Sequence, residues 1–288
     1  MPKETDPAAA AARALSPALD EISQRLVAAR LRAAPLRAFP GELPTTLKEA
    51  YAVQSASIAR WPDEVAGWKV GGVPLELRAT LGADRLSGPI YRATVHHIGA
   101  GSEQSMAIYQ GGFAAVEAEF VFRLNRRIEP DGAYHSDQEL IDCVTLHVGA
   151  EIASSPMADI NRIGPVCVVC DFGNNGGLLV GPPVPDWRTR AGEDLRAEVL
   201  VDGISVGQAT AADLEGGLLR PLRFLIELCA DRGLTLPEGT FVSCGALTGI
   251  HEVTVDSRAS VDFGAFGAFR VAFEAKRPMP DSASSKKH

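Results

Sequence analysis

Glu117, Glu119, Glu151 and Lys69 are the residues of this sequence whose types and spacing can do chemistry. The segment 116–122, Val-Glu-Ala-Glu-Phe-Val-Phe, reads as a strand, because Phe120, Val121 and Phe122 are aromatic or β-branched and Gly111 and Gly112 precede them. Side chains alternate faces along a strand, so Glu117 and Glu119 share one. Two carboxylates held together need a shared proton, a basic partner or a divalent cation. On these residues alone, a solvated edge strand explains the pattern equally well. Glu151 lies in the run 147–152, His-Val-Gly-Ala-Glu-Ile, where an acid among small and apolar residues is costly unless paired. Three carboxylates supply hard oxygen donors and leave three octahedral positions, which suits Mg²⁺ or Mn²⁺. Spacing does not bring Glu151 to the other two. Lys69 sits inside the apolar run 65–70 and either snorkels to solvent or is held for chemistry.

These residues must be carried by a folded scaffold. The 288-residue chain has 46% hydrophobic and 22% charged residues, enough for a substantial core in one large domain or two unequal ones. A net charge of -8 argues against nucleic acid or an anionic membrane as partner. No apolar run approaches the ~20 residues of a membrane span, and no apolar signal segment follows the basic N-terminal residue. The five cysteines lie in apolar surroundings. Cys167 and Cys170 form a C-x-x-C without a second pair to complete a zinc site, so buried, reduced thiols in a cytoplasmic protein are expected.

Residues 1–16 read as a mobile leader. Ser16-Pro17 starts a helix to about residue 32, and Thr45 or Thr46 with Glu49 caps a second that ends at Trp61-Pro62. With a short strand at 65–70 and a helical turn at 74–81, these make a small N-terminal region, 17–85. From 86 to 277 glycines and short apolar runs alternate, as in a β-rich domain. Strands are expected at 147–152, 166–171, 178–180, 196–201, 239–243, 251–255 and 270–273, and helical inserts at 137–144 and 213–232. Asp202-Gly203 signals a hairpin. The Ser/Lys-rich tail 278–288 reads as disordered.

Tyr51-Ala52-Val53-Gln54, Gly67-Trp68-Lys69-Val70-Gly71, Val116-Glu117-Ala118-Glu119, Ala150-Glu151-Ile152, Ser243-Cys244-Gly245-Ala246-Leu247-Thr248 and Asp262-Phe263-Gly264-Ala265-Phe266-Gly267 occur in this order. Together they resemble the 2-keto-4-pentenoate hydratase / 4-oxalocrotonate decarboxylase family of the fumarylacetoacetate hydrolase superfamily. The resemblance spans about residues 46–274. It implies an α+β fold, with a small helical N-terminal part before a β-rich, fumarylacetoacetase-like fold on a mixed, rolled sheet. It places the family's metal ligands on Glu117, Glu119 and Glu151, its active-site lysine on Lys69, and substrate-binding positions on Ser243, Gly245, Asp171 and Asn174. It implies Mg²⁺ or Mn²⁺ as cofactor, a small 2-oxo or 2-hydroxydienoic acid as substrate, and a homo-oligomer. The expected reaction is hydration of a 2-hydroxy-2,4-dienoate to a 4-hydroxy-2-oxo acid. Alternatives are decarboxylation of a 4-oxalocrotonate type, acylpyruvate hydrolysis, and binding of an oxo acid without turnover. Two departures bear on the proton transfers. Ser87 stands where the family usually has an acid, and Phe-Gly-Asn-Asn-Gly replaces a small-residue run after Asp171.

Overall fold

Ser16 and Thr46 turn extended backbone into helix. In the computed structural model, which describes residues 15–131 and 136–280, Ser16 Oγ accepts the Leu19 N–H and Pro17 opens helix α1 (Pro17–Leu31). Thr46 does the same for α2 (Leu47–Arg60) through the Glu49 N–H. Each cap satisfies a backbone donor that the first turn leaves orphaned. The two helices bury Ile22, Leu26, Ala50 and Val53 in a common apolar cluster. His135, and nearly all of the expected leader and tail, lie outside the described residues.

The chain then enters the sheets through β1 (Val65–Gly72), helix α3 (Leu75–Leu81), β2 (Arg85–Tyr91), β3 (Val95–His97), β4 (Glu103–Ile108) and β5 (Phe113–Leu124). Helix α4 (Asp137–Asp142) leads to β6 (Val144–Ser155), and the short helices α5 (Ile160–Ile163) and α6 (Pro165–Cys170) precede β7 (Asn175–Pro183). The hairpin β8 (Arg196–Val201) and β9 (Ile204–Thr210), helix α7 (Arg220–Asp231), β10 (Phe241–Ser243), β11 (His251–Glu252), β12 (Arg258–Asp262) and β13 (Ala268–Ala275) complete it. Among the described residues one sheet runs β2-β1-β10-β5-β6-β7-β3, with β11 paired to β5, and a second runs β4-β13-β12-β8-β9. β1 pairs with β10, β3 with β7 and β4 with β13 in parallel, and the other pairs are antiparallel. The first sheet curls until β2 and β7 approach each other. This is the α+β, mixed and rolled architecture expected from the sequence.

β5 is buried along nearly its whole length, so both its faces must be accommodated. Val116, Ala118, Phe120, Phe122 and Leu124 face the main core, where the second sheet packs. Phe120 lies 5.5 Å from the Phe263 ring there. Glu117, Glu119 and Val121 alternate with them onto the inside of the roll, where Val121 joins Ile90, Leu178, Val180 and Phe241. The acids therefore point into protein, and the solvated-edge alternative does not apply.

β2 ends the first sheet, and an unpaired strand edge needs cover. Helix α2 supplies it. The Ser87 N–H donates to Tyr51 Oη at 3.0 Å, and Gln54 Nε2 donates to the Ser87 carbonyl at 2.9 Å. A second bond from Gln54 Nε2 reaches Val169 O in α6.

The expected strand at 166–171 is instead the helix α6. Pro165 occupies its first turn after Gly164, whose φ of 113° breaks the chain direction, and all six residues are buried, in part against α2. Tertiary burial overrides the β-branched composition that favours a strand. The helix expected from 213 begins only at Arg220, because Gly216 and Gly217 hold positive φ angles of 76° and 75°. The strand expected at 251–255 shortens to two residues. β3, β4 and β12 add to the strands expected from the sequence.

Candidate metal centre

Strand register assembles the acids. β5 pairs with β6 so that Glu117 lies opposite Glu151, and Glu119 opposite Gly149. β10 inserts between β1 and β5, placing Ser243 between Lys69 and Val121 on one row. Glu117, Glu119 and Glu151 each offer a carboxylate oxygen within 4.8 Å of the other two. Glu117 is 4% exposed, Glu119 and Glu151 are fully buried, and Lys69 is 7% exposed.

Three carboxylates surround one ammonium. Lys69 Nζ is 3.4 Å from Glu151 Oε2, an ion-pair contact that leaves this oxygen without a hydrogen bond. Asn175 Nδ2 donates to Glu151 Oε1 at 3.0 Å. Ser243 Oγ and, at 3.0 Å, the Gly245 N–H both donate to Glu119 Oε2, while Glu119 Oε1 is buried without a partner. Burial, and then the charge of Glu151, push Glu117 up to about 8, against the pull of Lys69. The same causes, with Glu117 added, raise Glu119 well above the carboxylate range. Burial alone would lower Lys69, but the three glutamates, Glu151 foremost, outweigh it and raise it.

Among the described residues two negative charges thus lack a cationic partner, and two buried carboxylate oxygens of the cluster lack hydrogen bonds. A divalent cation answers both, and the hard oxygen donors fit Mg²⁺ or Mn²⁺. The alternative is to take up protons, which gives a pH test. Glu117 is raised from 4.5 to about 8 in the fold, so between these values the native state binds more protons than the unfolded chain. Metal-free protein therefore loses stability as pH rises from about 4.5 through 8. The loss amounts to several kcal/mol, since each tenfold difference in proton affinity is worth ~1.4 kcal/mol. Urea midpoints in EDTA are expected to fall between pH 5 and 8, and Glu117→Gln to flatten that fall. A midpoint that rises with pH contradicts this electrostatic account.

The turn after Asp171 closes over Lys69. A Cβ on Gly88 would meet Phe172 O at 2.3 Å, and one on Gly173 would meet the Gly88 Cα at 2.8 Å and Lys69 Cδ at 3.1 Å. Phe172, Gly173 and Asn174 all adopt left-handed backbone, with φ of 55°, 67° and 63°. The two non-glycines cost on the order of 1–3 kcal/mol each. Asn174 is 4% exposed; its Nδ2 is 3.5 Å from Asn161 Oδ1, and its own Oδ1 has no partner. Asp171 turns away from the acids. It takes Arg30 Nε at 2.5 Å and Ser155 Oγ at 2.6 Å.

Of the residues read from the sequence, the structure gathers Lys69, Glu117, Glu119, Glu151, Ser243 and Gly245, with Asn174 in the adjoining turn. Ser87 is fully buried and its hydroxyl donates to the Lys69 carbonyl at 2.7 Å. His147, on the face of Glu151, instead donates from Nδ1 to Gly181 O at 3.0 Å. Two arginines that could meet a charged substrate tail hold acids of the protein: Arg78 pairs with Glu215 and Arg162 with Asp159, both at 2.6 Å. Arg85 reaches Glu215 O, with its Nε buried and unpartnered. Asn175 contributes directly through Glu151. The sequence reading missed Arg30, although it continues the buried stripe of Ile22 and Leu26, where a charge signals a partner.

The fold of this rolled mixed sheet has solved counterparts. The chain superposes on 4-oxalocrotonate decarboxylase from Pseudomonas putida G7, complexed with magnesium and adipate, with a TM-score of 0.72. Sequence identity is 20%, and the match covers 88% of this chain and 97% of that one. Fumarylpyruvate hydrolase from Pseudomonas aeruginosa, in complex with Mn²⁺ and pyruvate, gives a TM-score of 0.53 at 15% identity over 75% of this chain and 91% of that one. The 2-hydroxyhepta-2,4-diene-1,7-dioate isomerase from Mycobacterium marinum gives 0.53 at 13% over 74% and 77%. At these identities the likeness establishes the fold. No protein-family model and no curated protein sequence matches the chain. No helix among the described residues is long and apolar enough to cross a membrane.

Proposed function

We propose that the protein is a divalent-metal-dependent lyase that adds water to a 2-hydroxy-2,4-dienoate, giving a 4-hydroxy-2-oxo acid. The observation that carries this reading is the buried Glu117, Glu119 and Glu151 cluster with two charges uncompensated beside Lys69. Glu117, Glu119 and Glu151 would hold the ion, which supplies Lewis-acid stabilisation of negative charge at a 2-oxo group. Lys69 is protonated at neutral pH. It is the cation beside the acids, suited to stabilise an enolate oxygen or to deliver the proton that accompanies hydration. Ser243 and Gly245 orient Glu119. The unpartnered Asn174 Oδ1 is a candidate acceptor for a hydroxyl of the substrate. Asp171 acts at one remove, since Arg30 and Ser155 hold its carboxylate.

Decarboxylation of a 4-oxalocrotonate-type substrate is the second reading, favoured by the TM-score of 0.72 to an enzyme of that name. It needs recognition of a second carboxylate, but Arg78 and Arg162 are already paired with acids and Arg85 is engaged by the Glu215 carbonyl. Hydration is therefore preferred. With Mg²⁺ or Mn²⁺, the protein is expected to bleach the dienol absorbance of 2-hydroxypenta-2,4-dienoate and gain one water in the product mass. Consumption of 4-oxalocrotonate with release of CO₂ and no hydration selects the second reading. Turnover of neither substrate with either metal rejects both.

A further inference from the structure

We propose that Arg30, on the N-terminal helix α1, is a positioning residue of the metal centre. The inference rests on the reading of Glu117, Glu119 and Glu151 as a metal site. Arg30 is 3% exposed, and its guanidinium makes five bonds to three places. Nε and Nη2 take Asp171 Oδ1 and Oδ2 at 2.5 and 3.0 Å, and Nη2 also reaches Asp171 O at 3.0 Å. Nη1 donates to Asn175 O at 2.9 Å and Nη2 to Ser154 O at 3.1 Å. The guanidinium carbon lies 5.1 Å from the Phe172 ring centre and 5.4 Å from that of Tyr109.

These contacts fall where the sheet is irregular. β6 and β7 pair Ile152 with Gly177 and then Ala153 with Asn175, so Gly176 is an extra residue on β7. Such a bulge re-aims neighbouring side chains. Next to it Arg30 holds one carbonyl on each strand, Ser154 O on β6 and Asn175 O on β7, and the Asn175 side chain bonds Glu151 Oε1 through Nδ2. Arg30 also bonds the backbone at Asp171, where the left-handed residues 172–174 begin, and stacks on Phe172 within them. A strained turn persists only when its surroundings over-determine it. Arg30 donates to Asp171, Ser154 and Asn175 alike and so ties these three places together, with Ser155 Oγ bonding Asp171 beside it. Lysine cannot replace it, because a single ammonium lacks the planar fork that spans these acceptors.

Full-length metal-free protein titrated with Mn²⁺ and followed by EPR tests this, with urea unfolding run alongside to restrict the comparison to folded variants. Wild type is expected to bind. Arg30→Lys and Asn175→Ala are each expected to weaken Mn²⁺ by roughly 10- to 100-fold, the usual effect of losing an outer partner of a ligand. The double variant is expected to lose little more than either, because the two residues act in series. Guanidinium ion, but not methylammonium, is expected to restore affinity to Arg30→Ala. If Arg30→Ala does not fold, Arg30→Lys and its cycle with Asn175→Ala carry the result. Folded Arg30 variants with wild-type affinity, or strictly additive losses, overturn the proposal and leave the metal site standing. Wild-type protein that binds no Mn²⁺ overturns the metal site and this proposal with it.

Discussion

Glu119→Gln is expected to lose Mn²⁺ affinity by more than about 100-fold, beyond the ~10–100-fold that an outer-sphere loss brings. Glutamine keeps the shape of the side chain and one carbonyl acceptor for Ser243 Oγ and the Gly245 N–H. It removes the charge and turns one oxygen into an amide donor. In the wild-type site Glu119 Oε1 is a buried oxygen without a hydrogen-bond partner among the described residues. The same substitution is expected to stabilise the metal-free protein, since it relieves repulsion by Glu151 and Glu117 in a fully buried place. Opposite signs for metal affinity and metal-free stability distinguish a ligand from a structural acid. Isothermal titration and urea unfolding in EDTA measure the two. A variant that retains full affinity removes Glu119 from the ligand set.

Lys69→Met is the second large effect, and it acts the other way on stability. Methionine fills the space of the stem beside Gly173 but leaves Glu151 without its ion-pair partner. Breaking a buried pair on one side costs roughly 3–5 kcal/mol, because the remaining charge stays desolvated. The metal-free variant is therefore expected to unfold earlier, and saturating Mg²⁺ to recover much of the difference. Turnover of the dienoate is expected to fall by about 10²–10⁴-fold, the usual contribution of a positioned acid or base. If Lys69 is only a structural counter-ion, the variant loses stability while kcat in saturating Mg²⁺ stays at the wild-type value. That outcome would move proton delivery to another group.

Helix starts are legible in the sequence because caps are local. Ser16 and Thr46 bond to residues three positions away, within the window that a sequence pattern samples. Glu117 and Glu119 are legible as a pair for the same reason, since strand alternation links near neighbours. Glu151 is not, because only the β5–β6 register sets it opposite Glu117, and the motif resemblance supplies what spacing lacks. Residues 166–170 mislead because local composition favours a strand while their burial against α2 decides for a helix. Arg30 and Asp171 are separated by 141 positions, so neither residue announces the other. Ser87 reads in the sequence as a missing acid in a reactive position. In the structure its backbone completes the cover on the β2 edge and its hydroxyl braces the Lys69 carbonyl.

The position of β10 dictates an order of assembly. Its three residues separate the strand that carries Lys69 from the strand that carries Glu117 and Glu119. The early strands cannot reach their final spacing until residues 241–243 have slotted between them, and closing so long a loop is slow. Ser243 arrives with that same insertion and bonds Glu119. A chain without that insertion can hold its three acids on the paired strands β5 and β6, but it lacks Ser243 and the fixed spacing of Lys69. Glu119 is therefore oriented, and Lys69 spaced from the acids, only once residues 241–243 are in place.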